Sequence, residues 1–255
     1  MSTRQTGLCI WLCVAAGILI PGAAQAQNTF RVYAGVAPTT YKISFDSNSP
    51  YGNVTAKSQY TAANVGLTWI SPKGIYVDFS ASQSLSATHD LWDSIGGGSQ
   101  DFSHNSYTLT GGYNHVLSKG ASVSGFGGLI SSHTTLNAPK PPLLFSKDTF
   151  DARGIFIGAG GGMPALGGQF TGSLAIAFMG GTWKDDNGFN NSADTTVGAS
   201  LGAAYTYKFS PAWGITADLK GQSYKYNFHV YSTTQPAYTV TEKIVSAGVR
   251  VSYQF

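Results

Sequence analysis

From Val245 to the C-terminal Phe255 the chain alternates without a break. Val245, Ala247, Val249, Val251, Tyr253 and Phe255 fall on one parity; Ser246, Gly248, Arg250, Ser252 and Gln254 fall on the other. A repeat of two residues is the signature of a strand with two unlike faces. What each face meets is constrained by composition. Only 11% of the residues are charged, about half the ~25% of a soluble domain. Glycine is abundant at 32 residues, and aromatics make up 13%. Few charges and many Gly, Ser and Thr are expected when the outside of a sheet faces hydrocarbon and the inside encloses a little water.

The N-terminus carries an export signal. Arg4 supplies a positive start, an apolar run follows from Leu8 to Ile20, and Ala24-Gln25-Ala26 offers small residues for cleavage. Residues 1–26 are therefore expected to be a signal peptide and 27–255 the mature barrel domain. No later stretch approaches the ~20 apolar residues that a spanning helix requires. Cys9 and Cys13 both lie in the leader, so no thiol, disulfide or Cys-ligated metal is expected in the mature protein, and no cofactor. Arg4 is the leader's only charged residue, which leaves 14 basic against 12 acidic residues. That balance speaks against a nucleic-acid partner.

Further upstream the chain reads as a ladder of hairpins. Short turns at Ser71-Pro72-Lys73-Gly74, Leu117-Ser118-Lys119-Gly120, Pro164-Ala165-Leu166-Gly167-Gly168 and Ser210-Pro211-Ala212-Trp213 alternate with longer loops rich in Asn, Ser, Asp and Gly. This predicts an all-β fold: a closed antiparallel up-and-down transmembrane β-barrel of about ten strands, with both termini periplasmic. Outward rows are expected at Ala63, Val65, Leu67 and Trp69, at Ile75, Val77, Phe79 and Ala81, at Tyr107, Leu109 and Tyr113, and at Ile155, Ile157, Ala159 and Met163. The seventh strand adds Phe170, Leu174, Ile176 and Phe178, and the eighth Val197, Ala199, Leu201, Ala203, Tyr205, Tyr207 and Phe209. On the first strand the apolar parity switches from Phe30, Val32, Ala34 and Val36 to Tyr41, Ile43 and Phe45, with Pro38 between, so a β-bulge is expected there. The fifth strand has no assignable faces, because Val123 and Phe126 oppose each other in parity. Two aromatic belts are expected at the membrane boundaries: Trp69, Tyr205, Tyr207, Phe209, Trp213 and Phe255 at the short-turn end, and Tyr41, Phe45, Phe178 and Trp183 at the long-loop end.

Chemistry-bearing residues fall into three groups. Arg31, Asp78, Asp218, Lys220, Glu242 and Arg250 share the lumen parity, three of each sign. They are expected to form a neutral ion-pair network plugging a narrow lumen, or to line a selective solute or ion path. Ten strands leave little open bore, which excludes a general diffusion porin. The second outer loop, 87–104, gathers His89, Asp90, Asp93, Asp101 and His104, types that can ligate metal or act as an acid/base pair. The fourth, 184–194, has Asp185, Asp186, Asn187, Asn190 and Asn191 but no EF-hand spacing, and reads as a solvated turn. The third, 137–153, carries Pro139, Pro141, Pro142, Leu143, Leu144 and Phe145, an apolar segment suited to a partner, to lipopolysaccharide, or to folding back over the mouth.

With leader, alternation, turn asymmetry and terminal Phe255 together, the mature chain resembles the small outer-membrane β-barrel proteins of Gram-negative bacteria, the OmpA/OmpX-like class in the broad sense. The resemblance implies outer-membrane residence, contact with membrane lipid and lipopolysaccharide, and a non-enzymatic surface or structural role in which outer loops meet a partner. It also implies insertion by the barrel assembly machinery, with Tyr253 and Phe255 as the assembly signal. Two other function classes stand beside it. One is a rim hydrolase: the strand number is similar to that of the omptin proteases, although no Asp-x-His pair of theirs occurs, and Ser103 and His104 are similar to the Ser and His of lipid A deacylases without their His-x-Ser-Asn order. The other is a narrow solute or ion channel.

Overall fold

The computed structural model describes residues 28–49, 52–87, 91–92, 102–140, 144–184, 190–229 and 237–255. Ten long strands form the wall: β1 Thr29–Phe45, β2 Thr55–Ile70, β3 Ile75–Ala87, β5 Ser103–Val116, β6 Ser122–Lys140, β7 Leu144–Ala165, β8 Gly168–Lys184, β10 Thr196–Lys208, β11 Trp213–Phe228 and β12 Tyr238–Gln254. Two short pieces add to it, β4 (Leu91–Trp92) on β2 and β9 (Asn190–Ser192) on β8. Each long strand pairs antiparallel with its neighbours in the wall, and β1 pairs with β12, so the sheet closes into a ten-stranded up-and-down transmembrane barrel. At the seam Phe255 N donates to Phe30 O at 2.9 Å, and Phe30 N donates back to Phe255 O at 3.0 Å. The expected leader lies outside the described residues.

All four short turns fall where Pro and Gly place them. In the first, Gly74 N donates to Ser71 O at 3.0 Å. Gly74 takes φ 86°, a left-handed conformation for which glycine has no steric penalty. From these turns upward the outward parity is apolar on every long strand, with Val65, Phe79, Leu109, Leu129, Ile157, Leu174, Leu201, Leu219 and Val249 all exposed. Trp213, Tyr253, Phe255 and Phe30 pack along the short-turn edge, with Trp213 and Tyr253 at 4.9 Å between ring centroids. The faces of β6 are resolved as well: Val123 and Leu129 point out, and Phe126 points in against Phe156 at 6.3 Å.

Three expectations are corrected by the long-loop half. There is no bulge at Pro38. The β1–β2 register runs unbroken from Thr29↔Ile70 to Ser44↔Thr55, and β1–β12 resumes after Pro38 in the register it held before. The parity switch has another cause: past Pro38 the outward face turns polar while the inward face becomes apolar. The register shift that does occur lies in β2–β3, between Thr61 and Ala62. The second aromatic belt is not a belt either. Phe178 faces outward, but Tyr41, Phe45 and Trp183 are buried inside the barrel. Finally, much of the expected third loop is a hairpin extension, since Asn137–Lys140 of β6 pairs with Leu144–Lys147 of β7; Pro141, Pro142 and Leu143 lie outside the described residues.

Candidate functional site in the barrel lumen

The inward rows build two regions of different chemistry. At the short-turn end is a polar vestibule, a cavity of about 610 Å³ lined by Arg31, Tyr76, Asp78, Asn114, Gln169, Asp218, Lys220 and Arg250. Neighbouring strands supply its charges in register. Arg250 on β12 sits two residues across from Asp218 on β11, and its Nε donates to Asp218 Oδ2 at 2.9 Å. On the adjoining strands β1, β2 and β3, Thr68 donates to Asp78 Oδ1 at 2.6 Å, Tyr33 donates to Asp78 Oδ2 at 3.2 Å, and Arg31 Nη2 donates to Thr68 Oγ1 at 3.3 Å. Tyr33 joins the two halves, because the Arg250 guanidinium also lies 5.2 Å from the centre of its ring, within cation–π range. Lys220 lines both this vestibule and a smaller cavity of about 190 Å³ above it, which reaches Tyr60 and His104.

Above the vestibule the lumen fills with rings. Tyr41, Phe45, Tyr60, Phe102, Phe150, Trp183, Tyr224, Tyr226, Phe228 and Tyr238 belong to one buried cluster. Phe150 meets Tyr226 edge-on at 4.8 Å, Phe45 meets Trp183 edge-on at 5.1 Å, and Phe228 stacks on Tyr238 at 4.8 Å, geometries that suit aromatic quadrupoles. Trp183, 0% exposed, donates its indole N–H to Asp148 Oδ2 at 2.8 Å. Close packing needs small residues opposite the rings: a Cβ on Gly198 would run into the Tyr224 ring.

Glu242 lies in this plug, not in the vestibule. It is 1% exposed and accepts from the Tyr226 hydroxyl at 3.0 Å, while its other oxygen, Oε1, is buried without a hydrogen bond. The six lumen-parity residues are thus divided. Arg31, Asp78, Asp218, Lys220 and Arg250 share the vestibule, giving it three cations against two carboxylates, and Glu242 stands apart among tyrosines. The neutral cluster expected from three charges of each sign does not form as one unit.

Of the candidate loop constellation only His104 is among the described residues. His89, Asp90, Asp93 and Asp101 lie outside the described residues. His104 belongs to β5 and points into the plug, its Nδ1 2.9 Å from Thr134 Oγ1 and its ring 5.4 Å from that of Tyr41. Of the fourth loop, Asp185, Asp186 and Asn187 also lie outside, while Asn190 and Asn191 form β9. A different His–Asp pair occurs on the outer wall: His133 Nδ1 is 2.6 Å from Asp151 Oδ1, His133 Nε2 is 3.4 Å from Thr135 Oγ1, and Lys184 Nζ is 3.5 Å from Asp151 Oδ2. Sequence reading missed this set, as it missed Tyr33 and Thr68, since only the strand register brings positions 18 residues apart opposite one another.

No protein-family profile and no curated protein matches the sequence. Solved structures do match in shape. The outer-membrane protease OmpT of Escherichia coli aligns with a TM-score of 0.59 at 9% identity, over 89% of this chain and 96% of that one. The translocator domain of the autotransporter NalP from Neisseria meningitidis aligns with a TM-score of 0.48 at 13% identity, over 89% and 88%. Neisserial surface protein A aligns with a TM-score of 0.34 at 14% identity, over 87% and 96%. At such identities the likeness is one of fold. A shared fold does not fix an activity, so function has to be argued from the site.

Proposed function

We propose that the chain is an outer-membrane barrel of a Gram-negative envelope that passes no solute and does its work on its outer surface, as a non-enzymatic anchor whose long loops meet a partner. The observation that carries this reading is the aromatic plug. A path along the lumen would run from the vestibule past Lys220 into a layer of rings packed about 5 Å apart, where Trp183, Tyr226, Phe150 and Ile43 have no measurable exposure. Packed to ordinary interior density, rings so spaced would leave no water-sized route past them. The unpaired oxygen of Glu242 costs stability and gives a permeating ion no succession of sites. In this reading the leader at 1–26 is removed on export, the short turns face the periplasm, and the outward Tyr253 and Phe255 on the closing strand are what the insertion machinery engages. Refolded protein in planar bilayers should give a silent trace over the full voltage range. Resolved unitary current steps from the unaltered chain would overturn the reading.

A second reading has one observation in its favour. Thr135, His133 and Asp151 lie in the order hydroxyl, imidazole, carboxylate, which is the order of an acyl-transfer triad. It predicts release of fatty acid from ester lipids in proteoliposomes, abolished in His133→Gln. Equal release from that variant, or none from the parent chain, would exclude it.

A further inference from the structure

The outer wall of the long-loop half is basic. On β1, Lys42 pairs directly with Lys57 of β2 on one side and with Lys243 of β12 on the other. Three ammonium groups therefore share one rung of the sheet, and Lys225 of β11 extends the row, one step along from Ser223, which pairs with Lys243. All four are exposed. Like charges directly opposite each other in a sheet are destabilising, and no carboxylate among the described residues pairs with any of these lysines. Among the described acidic side chains Asp151 alone lies on the outer face of a strand; Asp78, Asp148, Asp218 and Glu242 face the lumen, and Asp46 and Asp194 lie in loops. A row of like charges kept on four adjacent strands with no counter-charge of its own is complementary to a polyanion outside the protein.

Its height on the wall identifies that polyanion. Lys243 stands two residues above the exposed, lipid-facing Val245 on the same face of β12, a rise of about 7 Å. This is where a headgroup begins. Beneath the β11–β12 end of the row, an apolar groove of about 830 Å³ begins and runs around the wall away from β1 along the rung Val245, Gly221, Leu201, Leu174, Ala159, widened by the small Gly172 and Ala203 of the next rung. A row of cations above and a furrow for hydrocarbon below match an amphiphile with phosphate on its head and acyl chains on its tail. On the long-loop side of an outer-membrane barrel that amphiphile is the phosphorylated glycolipid of the outer leaflet.

We infer that Lys42, Lys57, Lys243 and Lys225 form a phosphate-binding row for lipid A, with an acyl chain seated in the groove between Val245 and Ala159. The site lies on the wall, so its fate is independent of whether the lumen conducts. The test is native mass spectrometry and titration of the refolded full chain in detergent with bisphosphorylated lipid A, with dephosphorylated lipid A, and with phosphatidylglycerol. At about fivefold per lysine, the triple variant Lys42→Gln, Lys57→Gln, Lys243→Gln should bind bisphosphorylated lipid A about 100-fold more weakly. Lys73→Gln with Lys119→Gln, at the opposite end of the barrel, should stay within about twofold. Gly221→Leu fills the groove at a position where an added Cβ meets nothing; it should weaken lipid A binding with every lysine in place. Heat-modifiable migration monitors folding, and if the triple variant misfolds, Lys42→Gln alone should still show its fivefold loss. Equal affinity of the parent chain and a folded lysine variant, undiminished binding of dephosphorylated lipid A, or phosphatidylglycerol binding as tightly as lipid A would each overturn the assignment.

Discussion

Along β12 and β1 the two halves of this barrel obey opposite rules. On β12, Val245, Val249 and Val251 are exposed on the outside and Arg250 sits inside; eight residues further from the short-turn end, Val240 and Glu242 are buried inside while Lys243 and Thr241 lie on the outer face. β1 repeats the inversion, with Val32 and Val36 out below Pro38, then Tyr41, Ile43 and Phe45 in above it. On these two strands the period of two holds throughout; what changes is the solvent. Where the outside is hydrocarbon, the outward row is apolar and the lumen can stay wet and charged. Where the outside is water, the sheet needs an apolar layer of its own, and the only place left for it is the interior. One strand thus serves as a membrane wall over part of its length and as the shell of a small water-soluble core over the rest.

The comparison can be broken most sharply by tryptophan removal. Trp183→Ala empties the centre of the inner core and removes the indole hydrogen bond to Asp148, so it should cost ~3 to 5 kcal/mol in reversible urea unfolding from lipid vesicles, far more than Trp213→Ala on the outer wall. Equal losses would mean that the plug is not a core. Next in size, Leu201→Arg should cost ~2 to 4 kcal/mol because it drives a charge into hydrocarbon, whereas Thr241→Arg, on the same face in the other half, should be nearly neutral; a large cost at Thr241 would extend the membrane past Lys243. Tyr226→Phe removes the hydrogen bond that Glu242 receives and should cost ~1 to 3 kcal/mol, with Glu242→Gln softening the effect. Smallest is the vestibule: Asp218→Ala leaves Arg250 unpaired in a wet cavity, costing ~1 to 2 kcal/mol once solvent screening is allowed for. Adding Arg250→Ala should recover part of that loss. Strict additivity in this double-mutant cycle would show that the 2.9 Å contact contributes nothing.

What could be read beforehand follows the same division. The outward rows through Leu201, Ile176 and Phe255, the four tight turns and the closure into ten strands were legible because alternation and turn chemistry are local. Alternation names two faces without saying which is wet, so Tyr41, Phe45 and Trp183 were read as a boundary belt when they are an interior. The same ambiguity turned a change of solvent at Pro38 into an expected bulge. Glu242 was grouped with Arg250 on parity alone, although the eight residues between them along β12 separate plug from vestibule. Contacts set by register stayed hidden: Lys42 beside Lys57 and Lys243, Tyr33 on Asp78, and His133 on Asp151 become neighbours only when strands distant in sequence are aligned.

The inversion can be measured directly on one strand. Cys9 and Cys13 are the only cysteines in the sequence, so on a chain begun at Gln27 single nitroxide labels can be placed at the outward positions 239, 241, 243, 245, 247 and 249 of β12 and compared for collision with molecular oxygen, which concentrates in hydrocarbon, and with a water-soluble nickel chelate. The account predicts nickel-dominated collisions at 239, 241 and 243 and oxygen-dominated collisions at 245, 247 and 249, with the crossover between Lys243 and Val245. Oxygen dominance continuing through 243 to 239 would place the whole strand in the membrane and contradict the division of the barrel into two halves.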